Sequence, residues 1–143
     1  MMEADRPSSM PLPLSFLAFD FGAKRVGVAT GNTLTRNATP LRTVAAEGDA
    51  RFAAIATLIR EWQPQALVVG VPFHPDGAPH DNTERARRFA RQLHGRFRLK
   101  VHEVDERYST TQAATEAASG GARDLDAASA AIILNQFLAG IIE

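Results

Sequence analysis

The chain of 143 residues contains no cysteine. Disulfide bonds and thiolate metal sites are therefore excluded, and a reducing compartment is permitted. Net charge is also absent, because sixteen basic and sixteen acidic residues cancel. A neutral chain has no global field that attracts nucleic acid, so such a partner would have to be bound by a local basic patch.

Long hydrophobic runs are missing as well. No segment approaches the length of a membrane span, and residues 1–13 lack the apolar run of roughly seven residues that a signal peptide needs. We therefore expect a soluble, cytoplasmic protein without a membrane partner, and a disordered leader over residues 1–13. Residues 14–143 fit a single globular domain, since 45% of the chain is hydrophobic and 22% is charged.

Five runs of residues predict β-strands. Two apolar runs joined by a glycine turn, within residues 16–29, are typical of a β-hairpin. A third strand is predicted over 37–44, near a sheet edge because it contains Pro40. The continuous, β-branched run 66–71 is typical of a central strand covered on both faces by helices, and 100–104 forms a short fifth strand.

Helical spacing of apolar residues alternates with these strands. The first helix is predicted from about Asp49 to Pro64, with Arg51 off its buried face. Residues 81–84 resemble a capping box at the start of a second helix, and residues 109–112 resemble one at the start of a short third helix. The last helix is predicted over about 124–142. The predicted buried faces of the first two helices are Phe52, Ile55, Ile59 and Trp62, then Ala86, Phe89, Ala90, Leu93 and Phe97.

Three acidic elements interrupt this apolar pattern. Asp20 lies within the first strand, where a carboxylate is costly to bury unless turn amides or a cation meet it. Asp105 and Glu106 end the fifth strand on opposite faces, so one of them can reach a site beside Asp20. Asp126 lies on the inward stripe of the last helix, although it would also stabilise the helix dipole. The three elements together predict one shared, cation-binding site.

Residues 85–100 form a basic segment with seven cationic side chains. Such a run is commonly a solvated face, and the alternative is a surface that contacts phosphate groups. None of the four histidines has metal-ligand spacing, although His80, in the loop before this segment, could shuttle a proton.

Four ordered motifs carry a family resemblance: FDFGAKRVGVA at 19–29, VGVP at 69–72, DERYST at 105–110 and DAASA at 126–130. Together they resemble the YqgF/RuvX family, whose members have the ribonuclease H-like fold and are described as pre-16S rRNA nucleases and formerly as Holliday junction resolvases. The likeness extends from residue 14 to the end. The chain departs from the family pattern at two places. Ala23 stands where Thr or Ser is frequent in the family, and the basic stretch that the family commonly has between the last two helices is reduced to residues 121–123.

The resemblance implies an α/β protein with a mixed five-stranded sheet, its first three strands antiparallel, flanked by helices. It also implies catalytic, metal-binding acids at Asp20, Glu106 and Asp126, with Asp105 as the alternative to Glu106. Mg²⁺ or Mn²⁺ prefers such oxygen ligands. Substrate phosphates would be held by motif residues and by the basic segment: Gly22, Lys24, Arg25, Arg107, Ser109 and Thr110, then Arg87, Arg88 and Arg91.

The expected function is a mainly monomeric, metal-dependent nuclease that processes the 5′ end of pre-16S rRNA during ribosome biogenesis. One alternative is a Holliday junction resolvase or another DNA-repair nuclease, acting as a dimer. Another is a nucleic-acid-binding module of the same fold without catalysis. The segment 20–22 also resembles the phosphate-binding turn of actin-like and sugar kinases, but these need two such domains and the chain is too short.

Overall fold

A computed structural model describes residues 14–74, 76–78, 81–106 and 125–142. The predicted leader, the short helix after residue 109, His80, Arg107, Ser109 and Thr110 lie outside this part of the chain. The strands are β1 Ser15–Phe21, β2 Val26–Asn32, β3 Ala38–Val44, β4 Ala66–Pro72 and β5 Lys100–Glu106. The helices are α1 Gly48–Trp62, α2 Thr83–Phe97 and α3 Leu125–Ile142. None of these helices is both long enough and apolar enough to cross a membrane.

The strands form one sheet in the order β3-β2-β1-β4-β5. Strands β1, β2 and β3 pair antiparallel, whereas β4 runs parallel to β1 and β5 runs parallel to β4. Helix α2 makes the crossover that two parallel neighbours require. The predicted mixed sheet with three antiparallel strands is confirmed, and Pro40 lies on the edge strand β3 as expected.

The sheet is covered on both faces, so the central strands are buried throughout. Leu17 and Phe19 of β1 join a core with Phe52 of α1 and Phe89 of α2. The alternate side chains of β1 face α3, where Phe16 and Ala18 pack with aliphatic residues of that helix: Ile133, Leu134 and Leu138. The apolar run of β1 therefore fills two cores at once, because successive side chains point to opposite faces of the sheet.

Helix α1 corrects one expectation about its buried face. Arg51, predicted to be solvated, is 6% exposed, whereas Trp62, predicted to be buried, is 43% exposed. The buried stripe is Arg51, Phe52, Ile55 and Leu58. Arg51 can be buried because its guanidinium donates hydrogen bonds to the backbone oxygens of Ala46 and Ala23, at 2.8 and 2.9 Å.

Helix α2 has the predicted buried face but not the predicted cap. Asn82 occupies the N-cap position without a side-chain cap hydrogen bond. The Thr83 hydroxyl donates instead to the backbone oxygen of Pro72, which ties the start of α2 to the end of β4. Glu84, expected to complete the capping box, accepts a hydrogen bond from Arg91 at 2.8 Å.

Candidate active site

Asp20 lies near the carboxyl end of β1, between two glycines on the neighbouring strands. It is paired with Gly27 of β2 and with Gly70 of β4. Because paired residues on adjacent strands share a face, neither neighbour places a side chain beside the carboxylate. A Cβ atom at Gly70 would lie 2.8 Å from Oε1 of Glu106, so the Glu106 side chain extends over Gly70 towards Asp20.

The Asp20 and Glu106 carboxyl groups are in direct contact. Burial, then repulsion by Glu106 and a hydrogen bond with Glu106, raise the pKa of Asp20 well above its usual value. The charge of Asp126 raises this pKa further, while a hydrogen bond from Ser129 opposes the rise. A hydrogen bond between two carboxyl groups requires a proton on one of them. The buried pair therefore lies where a divalent cation would stabilise both carboxylate charges.

Asp126 reaches this site because α3 lies unusually close to β2. A Cβ atom at Gly27 would lie 1.8 Å from the backbone oxygen of Asp126, so only glycine allows the first turn of α3 to rest there. Its carboxylate is partly exposed and accepts a hydrogen bond from Nε of Arg25 at 2.8 Å. The Asp126 carboxylate is therefore already paired with a positively charged side chain, the Arg25 guanidinium.

Asp105 faces away from this cluster. Glu106 is 7% exposed and lies on the α3 face of the sheet, whereas Asp105 is exposed on the opposite face, in a small cleft with Arg87 and Glu103. The alternation of β5 therefore brings Glu106, and not Asp105, to Asp20.

Among the described residues, no group of three or more histidine, aspartate or glutamate side chains is arranged to hold a metal ion as it stands. In the structure, Asp20 is hydrogen-bonded to Glu106, and Asp126 is paired with Arg25. A divalent cation bound at this place would likewise reduce the repulsion between the carboxylates. A donor set made only of carboxylate oxygens suits Mg²⁺ or Mn²⁺.

The predicted phosphate-binding residues are distributed over several places. Gly22 allows a tight turn, since a Cβ atom there would lie 2.6 Å from the backbone oxygen of Arg25, and Lys24 is exposed in the same turn. In α2, Arg87 lies 3.5 Å from Glu103 and Arg91 lies 2.8 Å from Glu84. Arg88 lines a separate groove between α1 and α2.

Sequence reasoning missed two contributors to this site. Ser129 is 2% exposed and donates its hydrogen bond to Asp20 from one turn beyond Asp126, and its spacing of three residues from that acid was a usable signal. Gly70 breaks the apolar run of β4 opposite Asp20. A glycine inside a buried strand signals close approach by another group, which here is the Glu106 side chain.

The same residues can be compared with known proteins. A family model described as RuvX, Holliday junction resolvase, matches residues 14–140. This chain belongs to the RuvX family. A relative from Polaromonas sp., named "Putative pre-16S rRNA nuclease", is 70% identical over 87% of this chain and 87% of its own length. Relatives of the same name from Albidiferax ferrireducens and Paraburkholderia phytofirmans are 67% and 55% identical over 89% of this chain, and over 79% and 89% of their own lengths.

Solved structures similar to this RuvX-family chain include RuvC from T. thermophilus in complex with a Holliday junction substrate. That likeness has a TM-score of 0.56 at 15% sequence identity and covers 90% of this chain and 96% of that one. A second Thermus thermophilus RuvC structure gives a TM-score of 0.54 at 13% identity, with the same coverage of both chains. At such identities the likeness concerns the fold, and it confirms the expected ribonuclease H-like architecture.

Proposed function

We propose that this chain hydrolyses phosphodiester bonds of nucleic acid, with divalent cations held by Asp20, Glu106 and Asp126. Membership of a nuclease family makes the chain a hydrolase of this class. The observation that supports the residue roles is the direct contact between the Asp20 and Glu106 carboxyl groups, with Asp126 adding to their repulsion. Clustered carboxylates that raise each other's pKa are a common property of catalytic metal sites.

Each residue of the site has a separate task in this proposal. A bound Mg²⁺ or Mn²⁺ ion supplies an activated water and stabilises the leaving oxygen. Asp20 and Glu106 would hold the ion through their carboxylate oxygens, and the hydrogen bond from Ser129 holds the Asp20 carboxylate in place. Arg25 leaves Asp126 for a substrate phosphate, to which a guanidinium can donate two hydrogen bonds. The exposed Lys24 lies in the same turn as Arg25 and adds a second positive charge there.

The proposed substrate is single-stranded precursor ribosomal RNA in the cytoplasm, cut during maturation of the 5′ end of 16S rRNA. This choice is supported by the names of the relatives with up to 70% identity. The second candidate is a four-way DNA junction, favoured by the description of the family model and by the RuvC fold. Symmetric cleavage of a junction would require two sites related by a two-fold axis, hence a dimer.

Cleavage assays with purified protein test both parts of the proposal. Single-stranded RNA, single-stranded DNA and four-way junctions are incubated with Mn²⁺ or Mg²⁺, and again with EDTA. Asp20→Asn and Asp126→Asn should keep the fold but lose about 100-fold or more in rate, because each removes a charged ligand of the cation.

Asp49→Asn is the matched control, since Asp49 has a 99% exposed side chain and lies in the first turn of α1. It should cleave as the unaltered protein does. Full activity in EDTA, or in either ligand variant, would contradict the metal assignment. A stable dimer by light scattering that cuts junctions symmetrically and leaves RNA intact would replace RNA by junctions as the substrate.

A further inference from the structure

A groove of about 320 Å³ lies between α1 and α2, on the face of the sheet opposite Asp20. Its cationic lining consists of Arg51 from α1 and of Arg85 and Arg88 from α2. Arg85, Arg88 and Gln92 are spaced by three and four residues, so they share one face of α2. Aromatic side chains complete the lining: Phe21, Phe52 and Phe89.

Arg51 is a fixed, buried cation in this groove. Its Nε and one terminal nitrogen donate to the backbone oxygens of Ala46 and Ala23, and its guanidinium lies 5.5 Å from the centre of the Phe21 ring. Burial lowers the pKa of Arg51, with Glu47 opposing the shift, but a guanidinium stays charged at neutral pH. Carbonyl oxygens satisfy its hydrogen bonds without neutralising its charge, so the groove retains a positive potential.

The arginines of α2 divide into two sets with different surroundings. Three of them are paired with acids: Arg87 with Glu103, Arg91 with Glu84 and Arg96 with Asp49. Within the described part of the chain, Arg85 and Arg88 form no ion pair with any acid. Arg88 still acts on Glu84 through its charge, but among the described residues neither Arg85 nor Arg88 is held in an ion pair, so both guanidinium groups can reach an anion in the groove. The sequence predicts phosphate contacts for Arg87, Arg88 and Arg91 but not for Arg85.

The groove and the candidate active site share the end of β1 and the turn that follows it. Phe21 follows Asp20 in β1, and alternation directs its ring to the groove while the Asp20 carboxylate points to α3. Arg51 binds the backbone oxygen of Ala23, in the turn that also carries Arg25. A polymer whose reacting phosphate lies at Asp20 can therefore continue around the end of the sheet and reach Arg85 and Arg88.

We propose that this groove binds the phosphate backbone of a single nucleic-acid strand, beyond the nucleotide that is cut. The inference rests on the proposed nuclease function and assigns a place to the flanking part of its substrate. Arg85 and Arg88 donate to phosphate oxygens from solvent, and Arg51 supplies fixed positive charge behind them. The contact is made to the backbone, so it serves RNA and DNA alike.

The test compares two double variants of the same helix with the same change of charge. Arg85→Gln/Arg88→Gln removes the groove arginines, and Arg87→Gln/Arg91→Gln removes the ion-paired ones. Binding of fluorescently labelled single-stranded RNA and DNA is measured by anisotropy in EDTA, over a series of salt concentrations. All four arginines are exposed, and circular dichroism and Tm verify that both variants are folded.

The groove variant should bind about tenfold more weakly, and the slope of log K against log salt should fall by about 1.4, because each single-strand phosphate contact contributes roughly 0.7. Although the sequence predicts Arg87 and Arg91 as phosphate contacts, the matched variant should change affinity less than about twofold, because both arginines lie outside the groove lining and are paired with Glu103 and Glu84. Equal losses in the two variants would show that only overall charge matters, and would overturn the proposal. Unchanged binding in the groove variant would overturn it as well.

Cleavage assays with Mn²⁺ separate this proposal from the nuclease assignment. If the unaltered protein cuts none of the substrates while the groove variant still binds more weakly than its control, the nuclease assignment fails and the groove stands as a binding site. If the unaltered protein cuts and the two variants bind alike, the groove assignment fails alone.

Discussion

Around the candidate active site, the two faces of the sheet differ in the size of their residues. The α3 face of β2 has Gly27, Ala29 and Gly31, and Gly70 continues this row on β4. The opposite face carries large rings, with Phe19 and Phe52 centred 6.0 and 5.9 Å from Phe89. Small residues let a helix approach closely, so the α3 face can place helix-borne acids beside strand-borne ones. Large residues keep the helices further away and fill the space with apolar contacts.

The two faces therefore contribute differently to the candidate active site and to the stability of the fold. Contacts between aromatic rings contribute about 0.5 to 1.5 kcal/mol each beyond the area that they bury. On the α3 face, by contrast, the raised pKa of Asp20 records unfavourable burial and repulsion among carboxylates. Active sites commonly carry such a cost, which the remainder of the fold offsets. The larger hydrophobic core, on the α1 and α2 side of the same sheet, contributes to this offset.

Gly27→Ala would break the close approach on the α3 face and should have the largest effect on stability. The new Cβ atom would meet backbone atoms of Asp126 and Ala127 at 1.8 to 2.7 Å, and backbone cannot rotate away as a side chain can. We expect a loss of roughly 3 kcal/mol or more in the free energy of unfolding, measured by urea denaturation. Cleavage should fall as well, because the first turn of α3 carries Asp126.

Gly70→Ala is the paired variant on the same face. Its Cβ atom would meet the ends of the Ile133 and Glu106 side chains, at 2.4 and 2.8 Å. These atoms can rotate away, so the stability loss should be about 1 kcal/mol, although cleavage should drop because Glu106 is displaced. Similar stability losses at Gly27 and Gly70 would show that backbone contact with α3 is not the limiting feature.

His102 offers the smallest effect, at the rim of the α3 face, where its ring lies 4.7 Å from that of Phe137. Burial, and then the charge of Lys100, lower the pKa of His102. A histidine with a lowered folded pKa stabilises the fold above its unfolded pKa, about 6.5, and this stability is lost as the pH falls through the folded pKa.

His102→Phe should therefore lose less Tm than the unaltered protein when the pH is lowered from 7 to 5. The comparison isolates His102, because the carboxylates of the site titrate in both proteins. Parallel Tm curves over this pH range would show that the His102 ring is not disfavoured in its charged form.

Much of this fold follows from local patterns. The hairpin at residues 16–29, the buried strand β4 and the apolar face of α2 were predicted because each depends on periodicity within one segment. The capping box at 81–84 was wrong because the helix start is held by a tertiary contact, the bond from Thr83 to Pro72. Trp62 was misplaced because it lies in the last turn of α1, where the helix reaches the end of the core.

The candidate site could be predicted less completely, because it depends on register and on partners remote in sequence. Asp20 and Asp126 are acids within otherwise apolar segments, so the sequence indicates them directly. Contact between Asp20 and Glu106 depends on the alignment of β1, β4 and β5 and on the missing side chain at Gly70. Burial of Arg51 likewise depends on carbonyl groups from two other segments.

Binding of Mn²⁺ by variants of the adjacent acids Asp105 and Glu106 tests whether the carboxylate cluster at Asp20 holds the metal ion. The two residues differ by one position but lie on opposite faces of the sheet. Calorimetric titration, with Tm measured in EDTA and in excess Mn²⁺, should show saturable binding for the unaltered protein and for Asp105→Asn. At one hundred times Kd the ion adds about 2.7 kcal/mol of stability. Glu106→Gln should lose most of this binding and stabilisation, whereas loss in Asp105→Asn with retention in Glu106→Gln would contradict the account.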